Sequence, residues 1–230
     1  MCGRYYLTAG AAEIRKTFKV DGVPDLGPRY NIAPTQLCPI VFPEGRERRV
    51  RMARWGLVPP WSRDLSLGAG MINAPAEAID ERPAFRAAFP SQRCLVPASG
   101  FYEWAGPSYA RQPYWIHRRD ADLLLFAGIY ANGEPDDNEA LASFTILTCA
   151  ANPTLASIHE RMPVILSDRD ADDWMNPLEK APLALKRLLI PAPDALLVVQ
   201  PVSLLVNSVK NEGPELLVSS GIKQQLSFNF

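Results

Sequence analysis

Four side chains in this sequence could make bonds or move protons. Cys2 stands directly after Met1. Once Met1 is lost, Cys2 carries an amine and a thiol on adjacent carbons, both of them nucleophiles. An α-amine titrates near about 7.7–8.0, so at pH 7 it is neutral far more often than a lysine amine. Such a 1,2-aminothiol captures aldehydes: the amine forms a Schiff base and the thiol closes a five-membered thiazolidine. Cys2 can equally be no more than a second codon. Glu103, in Pro97-Ala98-Ser99-Gly100-Phe101-Tyr102-Glu103-Trp104, is one carboxylate among large apolar neighbours. Desolvation there would raise its pKa and let it both give and take protons; the other reading is a surface glutamate on an alternating strand. His159, in Ile158-His159-Glu160-Arg161-Met162-Pro163, suits proton transfer near neutrality, or it binds the last carbonyls of a helix. Asn73, in Ile72-Asn73-Ala74-Pro75-Ala76-Glu77, could orient a reacting group through its amide, with Glu77 structural. His117 reads as an ordinary exposed strand residue.

Two aromatic segments could present surface to a ligand. Arg54-Trp55-Gly56-Leu57-Val58-Pro59-Pro60-Trp61 sets two tryptophans around a Gly/Pro turn, where exposed rings would stack on bases. Alternatively, Trp55 ends a core strand and Trp61 plugs a loop. Arg29-Tyr30-Asn31-Ile32-Ala33-Pro34-Thr35 is polar, aromatic and proline-ended, either a contact loop or a loop packed beneath a sheet.

The elements that position these residues are mostly strands. Helices are few: Thr8 caps a segment through Phe18, Asn152-Pro153 opens a short helix ending near His159, Ser167 caps Asp168–Met175, and a fourth lies around Leu183–Leu189. Strands are expected at Leu37–Phe42, Val50–Trp55, Arg93–Pro97, Gly100–Trp104, Tyr114–Arg118, Leu123–Tyr130, Ser143–Cys149, Pro163–Leu166 and Leu196–Val199. The last of these are continuous apolar runs, as in strands buried on both faces. Gly106–Pro113 and Asn132–Asn138 carry turn residues. No repeat, low-complexity segment or linker interrupts the pattern, so one domain over residues 1–230 is expected, mostly β with a few helices.

Composition narrows the function class. The hydrophobic share of 47% fits a folded chain and argues against disorder. No run approaches a membrane span, and Met1-Cys2-Gly3-Arg4 does not open a signal peptide, so a cytoplasmic protein is expected. Proline, 22 of 230 residues, is about twice its usual share, which favours turns and strand ends over long helices. Net charge is −1, yet residues 1–115 hold 15 basic and 10 acidic residues, and 13 of those 15 are arginine. Arginine reads phosphates bidentately, a pointer to nucleic acid beside the plainer reading of ordinary surface charge. Cys2, Cys38, Cys94 and Cys149 show no metal-ligand spacing, and the last three lie in apolar, strand-like surroundings. The sequence contains no GxGxxG, P-loop, GxSxG or HExxH.

In order, MCGR, RYNIAPT, WGLVPPW, INAPAE, RCLVPASGFYEW, FAGIY, FTILTCAAN, IHERMPVIL and PVSLLVNSVKN resemble the SOS-response-associated peptidase (SRAP) family, from Met1 to about residue 216. The resemblance implies an α+β fold, mostly antiparallel, with a barrel-like core, a few peripheral helices and a groove for single-stranded DNA. It implies an abasic-site sensor that shields the lesion by cross-linking to it, Cys2 forming a thiazolidine with the sugar aldehyde. Asn73, Glu103 and His159 match the family's catalytic positions, and Arg4, Asn31, Pro34, Trp61 and Arg161 match positions along the DNA path. It implies no cofactor, no metal, no membrane and no obligate protein partner; the partner is single-stranded DNA with abasic sites, met in the cytoplasm or on the nucleoid. One departure is Pro75, where the family motif NARxE has arginine; it removes a charge and a phosphate contact. Two other activities stay open: an autocatalytic cysteine peptidase built on Cys2, Glu103 and His159, and a noncovalent nucleic-acid-binding β module.

Overall fold

The computed structural model describes residues 2–62, 64–132 and 142–219. In chain order its strands and α-helices are β1 (Tyr5–Leu7), α1 (Ala11–Phe18), β2 (Arg29–Ile32), β3 (Leu37–Glu44), β4 (Glu47–Trp55), β5 (Asn73–Pro75), α2 (Pro83–Arg86), β6 (Arg93–Ala98), β7 (Gly100–Ala105), β8 (Gln112–Arg118), β9 (Leu124–Ala131), β10 (Ser143–Ala150), α3 (Pro153–Ala156), β11 (Arg161–Pro163), α4 (Asp168–Trp174), α5 (Pro182–Lys186) and β12 (Leu197–Pro201). The fold is α+β, with strands dominant and helices short. Proline accounts for part of this: α2, α3 and α5 each begin on one, where its missing N–H costs nothing.

The strands form two sheets. The smaller runs β12-β8-β7-β1-β2, and the larger runs β11-β10-β4-β3-β6-β9 with β5 beside β10. A further pairing of β10 with β9 closes β10-β4-β3-β6-β9 into a ring, the barrel-like part of the molecule. Pairing is antiparallel except where β10 runs parallel to β4 and to β5. Encirclement by neighbours explains the apolar runs: every residue of β9 is buried, and all of β10 but its last. Tyr5, Trp55, Phe101 and Phe126 fill the core, joined by edge-on ring contacts such as Tyr5–Trp55 at 5.1 Å.

The chain passes from one sheet to the other at Ser99, between β6 and β7. Ser99 N–H donates to the Tyr6 carbonyl (2.9 Å), and its Oγ accepts from Thr8 N–H (3.0 Å). Gly100 must be glycine, because a Cβ there would lie 2.5 Å from both the Ile116 carbonyl oxygen and the Tyr6 ring.

Most expected elements are present within a residue or three. The Asn152 and Ser167 caps form as read, accepting from Leu155 N–H and Asp170 N–H. Four expectations are corrected. Thr8 caps nothing; α1 starts after Gly10, and Thr8 is held by Ser99 instead. The strand expected over Pro163–Leu166 is β11 at Arg161–Pro163, followed by a single bridge from Ile165 to Phe126, because the next residues turn to pack on β9. β12 is half-buried, since it edges the smaller sheet and has a neighbour on one side only. His117 is half-buried rather than exposed, stacked on Trp115 at 4.1 Å with Nδ1 2.8 Å from the Arg118 carbonyl oxygen. Of the Asn132–Asn138 turn, all but Asn132 lies outside the described residues.

Candidate functional site

Cys2 lies three residues before β1 begins and has no exposed surface. Its carbonyl oxygen accepts a 2.8 Å hydrogen bond from Asn73 Nδ2. Its thiol contacts only the Arg4 carbonyl oxygen, weakly, at 3.9 Å, among the hydrogen bonds of the described residues. Burial pushes the thiol pKa up strongly, and the charge of Glu103 pushes the same way. The resting sulfur is therefore protonated at neutral pH.

Asn73 is the first residue of β5, set opposite Ile146 on the parallel strand β10. The preceding carbonyl, of Ile72, accepts from Trp55 Nε1 (2.9 Å), so the core tryptophan fixes the approach to Asn73. One amide group of Asn73 is thus committed to Cys2, while its Oδ1 is buried with no hydrogen-bond partner among the described residues. An unpaired buried acceptor is costly.

Glu103 lies on β7 opposite Tyr114 and is 4% exposed. Burial raises its carboxyl pKa above the ordinary value, while electrostatic interaction with the amino terminus and with His159 pulls the other way. Its surface-strand reading is overturned by this burial. His159 follows α3 and donates its N–H to the Leu155 carbonyl of that helix (2.9 Å). Its Nδ1 accepts from Arg161 N–H (3.0 Å), which leaves Nε2 as the ring's donor. Cys2 and Asn73 are in direct contact, and Cys2, Glu103 and His159 act on one another electrostatically in sequence: Glu103 on Cys2, His159 on Glu103.

The five residues placed on a DNA path by resemblance have different surroundings. Arg161 grips Glu77 through two 2.8 Å contacts and donates to the Thr148 carbonyl (2.6 Å). This pair holds the Glu77 carboxyl below its usual range. It also ties the end of the Asn73 segment to the His159 segment. Pro75 sits opposite Thr148 in the same register. Asn31 is 1% exposed and spends its amide inside the protein, on Arg4 and on backbone carbonyls near the carboxyl end. Pro34 is half-buried beside Thr35, whose φ of 72° lets its N–H reach the Trp55 carbonyl (2.8 Å). Trp61 is 64% exposed, whereas Trp55 is fully buried. The loop carrying Trp61 is closed by Gly56 against Gly68, where a Cβ on Gly68 would sit 2.5 Å from the Gly56 carbonyl oxygen.

Arg4 stands over Trp104, 5.8 Å from the ring centre, and lines a groove of about 540 Å³ with Trp104, Tyr109, Arg111, Leu204 and Asn207. Of these, Tyr109 and Arg111 were not singled out from sequence, although an exposed tyrosine and an arginine in the β7–β8 turn are a signal for stacking and phosphate contact. Among the described residues no group of three or more His, Cys, Asp or Glu could hold a metal, and no helix is long and apolar enough to cross a membrane. Cys2, Cys38, Cys94 and Cys149 are all buried free thiols.

Comparison with known proteins places the chain in a family. Abasic site processing protein YoqW of Bacillus subtilis (strain 168) is 39% identical over 223 residues, covering 95% of this chain and 100% of that protein. Abasic site processing protein HMCES of Gallus gallus is 29% identical, covering 95% of this chain and 77% of that protein. A solved structure from Bacteroides thetaiotaomicron superposes with a TM-score of 0.85 at 24% identity, over 95% of this chain and 100% of that one, a likeness of fold. The family described as SOS response associated peptidase (SRAP) matches residues 1–209. The chain belongs to the SRAP family.

Proposed function

We propose that this protein processes abasic sites in DNA and does so covalently, through a thiazolidine at Cys2 after loss of Met1, acting as one SRAP-like domain over residues 1–230. The relatives named abasic site processing proteins support the first part. The observation that carries the second is the hydrogen bond from Asn73 to the Cys2 carbonyl, which holds residue 2 beside the buried carboxyl of Glu103.

In this reading the closed abasic sugar must first open to its aldehyde. Glu103, its pKa raised by burial, moves that proton. The Cys2 α-amine adds to C1′, and the carbinolamine loses water as Glu103 or His159 protonates the departing hydroxyl. The Cys2 sulfur then bonds to C1′ of the Schiff base. Because the thiol rests protonated, its proton must leave as the C–S bond forms; it passes to the Glu103 carboxylate, and the ring nitrogen is protonated in turn. One water is lost overall and nothing is oxidised. Asn73 contributes position: Nδ2 holds the Cys2 backbone, and Oδ1 is available to the amine or a sugar hydroxyl. Single-stranded substrate follows from access to C1′ and from the stacking surfaces of Trp61 and Trp104. The working location in this reading is the cytoplasm, on the nucleoid while DNA is bound. A cysteine-peptidase reading needs a resting thiolate, which burial and the Glu103 charge both oppose.

Intact mass tests the proposal. Protein mixed with a single-stranded oligonucleotide bearing one abasic site should lack Met1 and gain the oligonucleotide mass less one water, stably on denaturation. Cys2→Ala should gain nothing. An undiminished adduct in that variant rules out the thiazolidine.

A further inference from the structure

We infer that Asn31 is a positioning residue that ties the segment 203–211, as a strap, to the arginine following the proposed nucleophile; the inference rests on the reading of the Cys2 site above. Asn31 lies on β2, far from Cys2 in sequence, and its hydrogen bonds join Arg4 to the strap. Its Oδ1 accepts from Arg4 Nη1 at 2.7 Å. Its Nδ2 donates to the carbonyls of Ser208 and Asn211, both at 2.9 Å. Both amide protons and one acceptor lone pair are thereby used at a site that is 1% exposed. A residue so committed has nothing to offer DNA directly.

The strap is tied at other points to the same neighbourhood. Arg4 Nη1 donates a second bond to the Val206 carbonyl at 3.0 Å. Trp104, next to Glu103, donates from Nε1 to Asn207 Oδ1 at 2.7 Å. Val206 packs with Tyr6 and Tyr102 in a small apolar cluster of its own. Leu204 and Asn207 of the strap then line the same groove as Arg4, Trp104, Tyr109 and Arg111. Asn31 sits at the centre: it holds Arg4 on one side and the strap backbone on the other. Its effect on a bound strand runs through both, by fixing the arginine and keeping the strap in place.

Two variants separate these links. Asn31→Asp keeps an acceptor for Arg4 and loses both donors to the strap. Asn31→Leu loses everything. Three measurements are made on the full chain: amide hydrogen exchange over residues 203–211, Kd for an undamaged single-stranded oligonucleotide, and the rate of adduct formation with saturating abasic oligonucleotide. Both variants should exchange faster in the strap. Asn31→Leu should weaken Kd about tenfold, the worth of a hydrogen bond to a charged group, and Asn31→Asp less than about threefold, since Arg4 keeps its partner. The saturating rate should stay within about twofold of wild type in both, because the Asn73–Cys2 contact is untouched. Unchanged strap exchange in Asn31→Asp overturns the inference, as does unchanged Kd in Asn31→Leu. A saturating rate that falls with Kd also overturns it, since that pattern marks general disruption. Should Asn31→Leu not fold, Asn31→Asp decides on exchange alone. A wild-type protein that forms no adduct refutes the thiazolidine reading, while the exchange and Kd arms still decide the role of Asn31.

Discussion

Replacing Asn73 with leucine removes the hydrogen bond to the Cys2 carbonyl while nearly keeping side-chain volume. The lost bond is short, at 2.8 Å, and buried on both sides. Leucine leaves the carbonyl without its donor, at a cost of about 1–3 kcal/mol. In a chain of this size each kcal/mol lowers Tm by about 2–4 °C, so a fall of about 2–12 °C is expected. The effect on chemistry should be larger. In the proposed chemistry residue 2 carries both nucleophilic atoms, and a misplacement of about 1 Å costs on the order of a hundredfold in rate. Single-turnover cross-linking at saturating abasic oligonucleotide, read by intact mass, should slow by about that factor, with Kd for undamaged DNA changed little. A variant that melts early yet cross-links at the wild-type saturating rate would refute the positioning argument and leave Asn73 a purely structural residue. A variant unchanged in both would show that the bond does not form in solution.

Glu103→Gln should slow cross-linking by about 10²–10⁴-fold, the usual worth of general acid–base catalysis, with little change in noncovalent Kd; equal losses in both would mark a structural role. The same variant has a signed effect on stability. Burial raises the folded-state pKa of Glu103 above its ordinary 4.5, so its stabilising protonation is fully present below that value and lost as pH rises through the folded value. Glutamine never ionises, so thermal melts should show it matching wild type near pH 4 and exceeding it at pH 8; the reverse order would mean that the Glu103 charge is favourable in the fold. Pro75→Arg should tighten binding to single-stranded DNA and steepen log Kd against log salt by about 0.7, one phosphate contact; an unchanged slope would mean the backbone passes elsewhere. Glu77→Gln breaks the twin contact to Arg161, but Glu77 is more than half exposed, so chemical denaturation should register a loss below about 1 kcal/mol. A loss of several kcal/mol would assign that pair a buried, structural weight.

The long strands were readable because β9 and β10 are continuous apolar runs, and the helix caps at Asn152 and Ser167 because capping is local chemistry. β1, β2 and β5 span three or four residues each, too short for any periodicity to register, yet they hold the residues around Cys2, Asn31 and Asn73. Glu103 could be suspected from its apolar neighbours, since a carboxylate among Phe101, Tyr102 and Trp104 has few ways to stay hydrated. The commitment of Asn31 could not, because its partners lie 27 residues away at Arg4 and 177 and 180 away at Ser208 and Asn211. The Glu77–Arg161 grip was hidden in the same way, joining two motifs that are 84 residues apart.

The closing of the ring by β10 carries a consequence for biosynthesis. Asn73 is held in place by β10, and Cys2 by Asn73, so the surroundings of residue 2 are complete only once residues 143–150 have been made. At about 5–20 residues per second, translation reaches that point roughly 7–30 s after it starts. Through that interval residue 2 lacks the strands that enclose it, whereas in the folded chain Cys2 has no exposed surface. Under the proposed chemistry the order of trimming and folding therefore matters: a chain that loses Met1 first encloses residue 2 with its amine and thiol paired, whereas one that keeps Met1 has an α-amine with no thiol beside it.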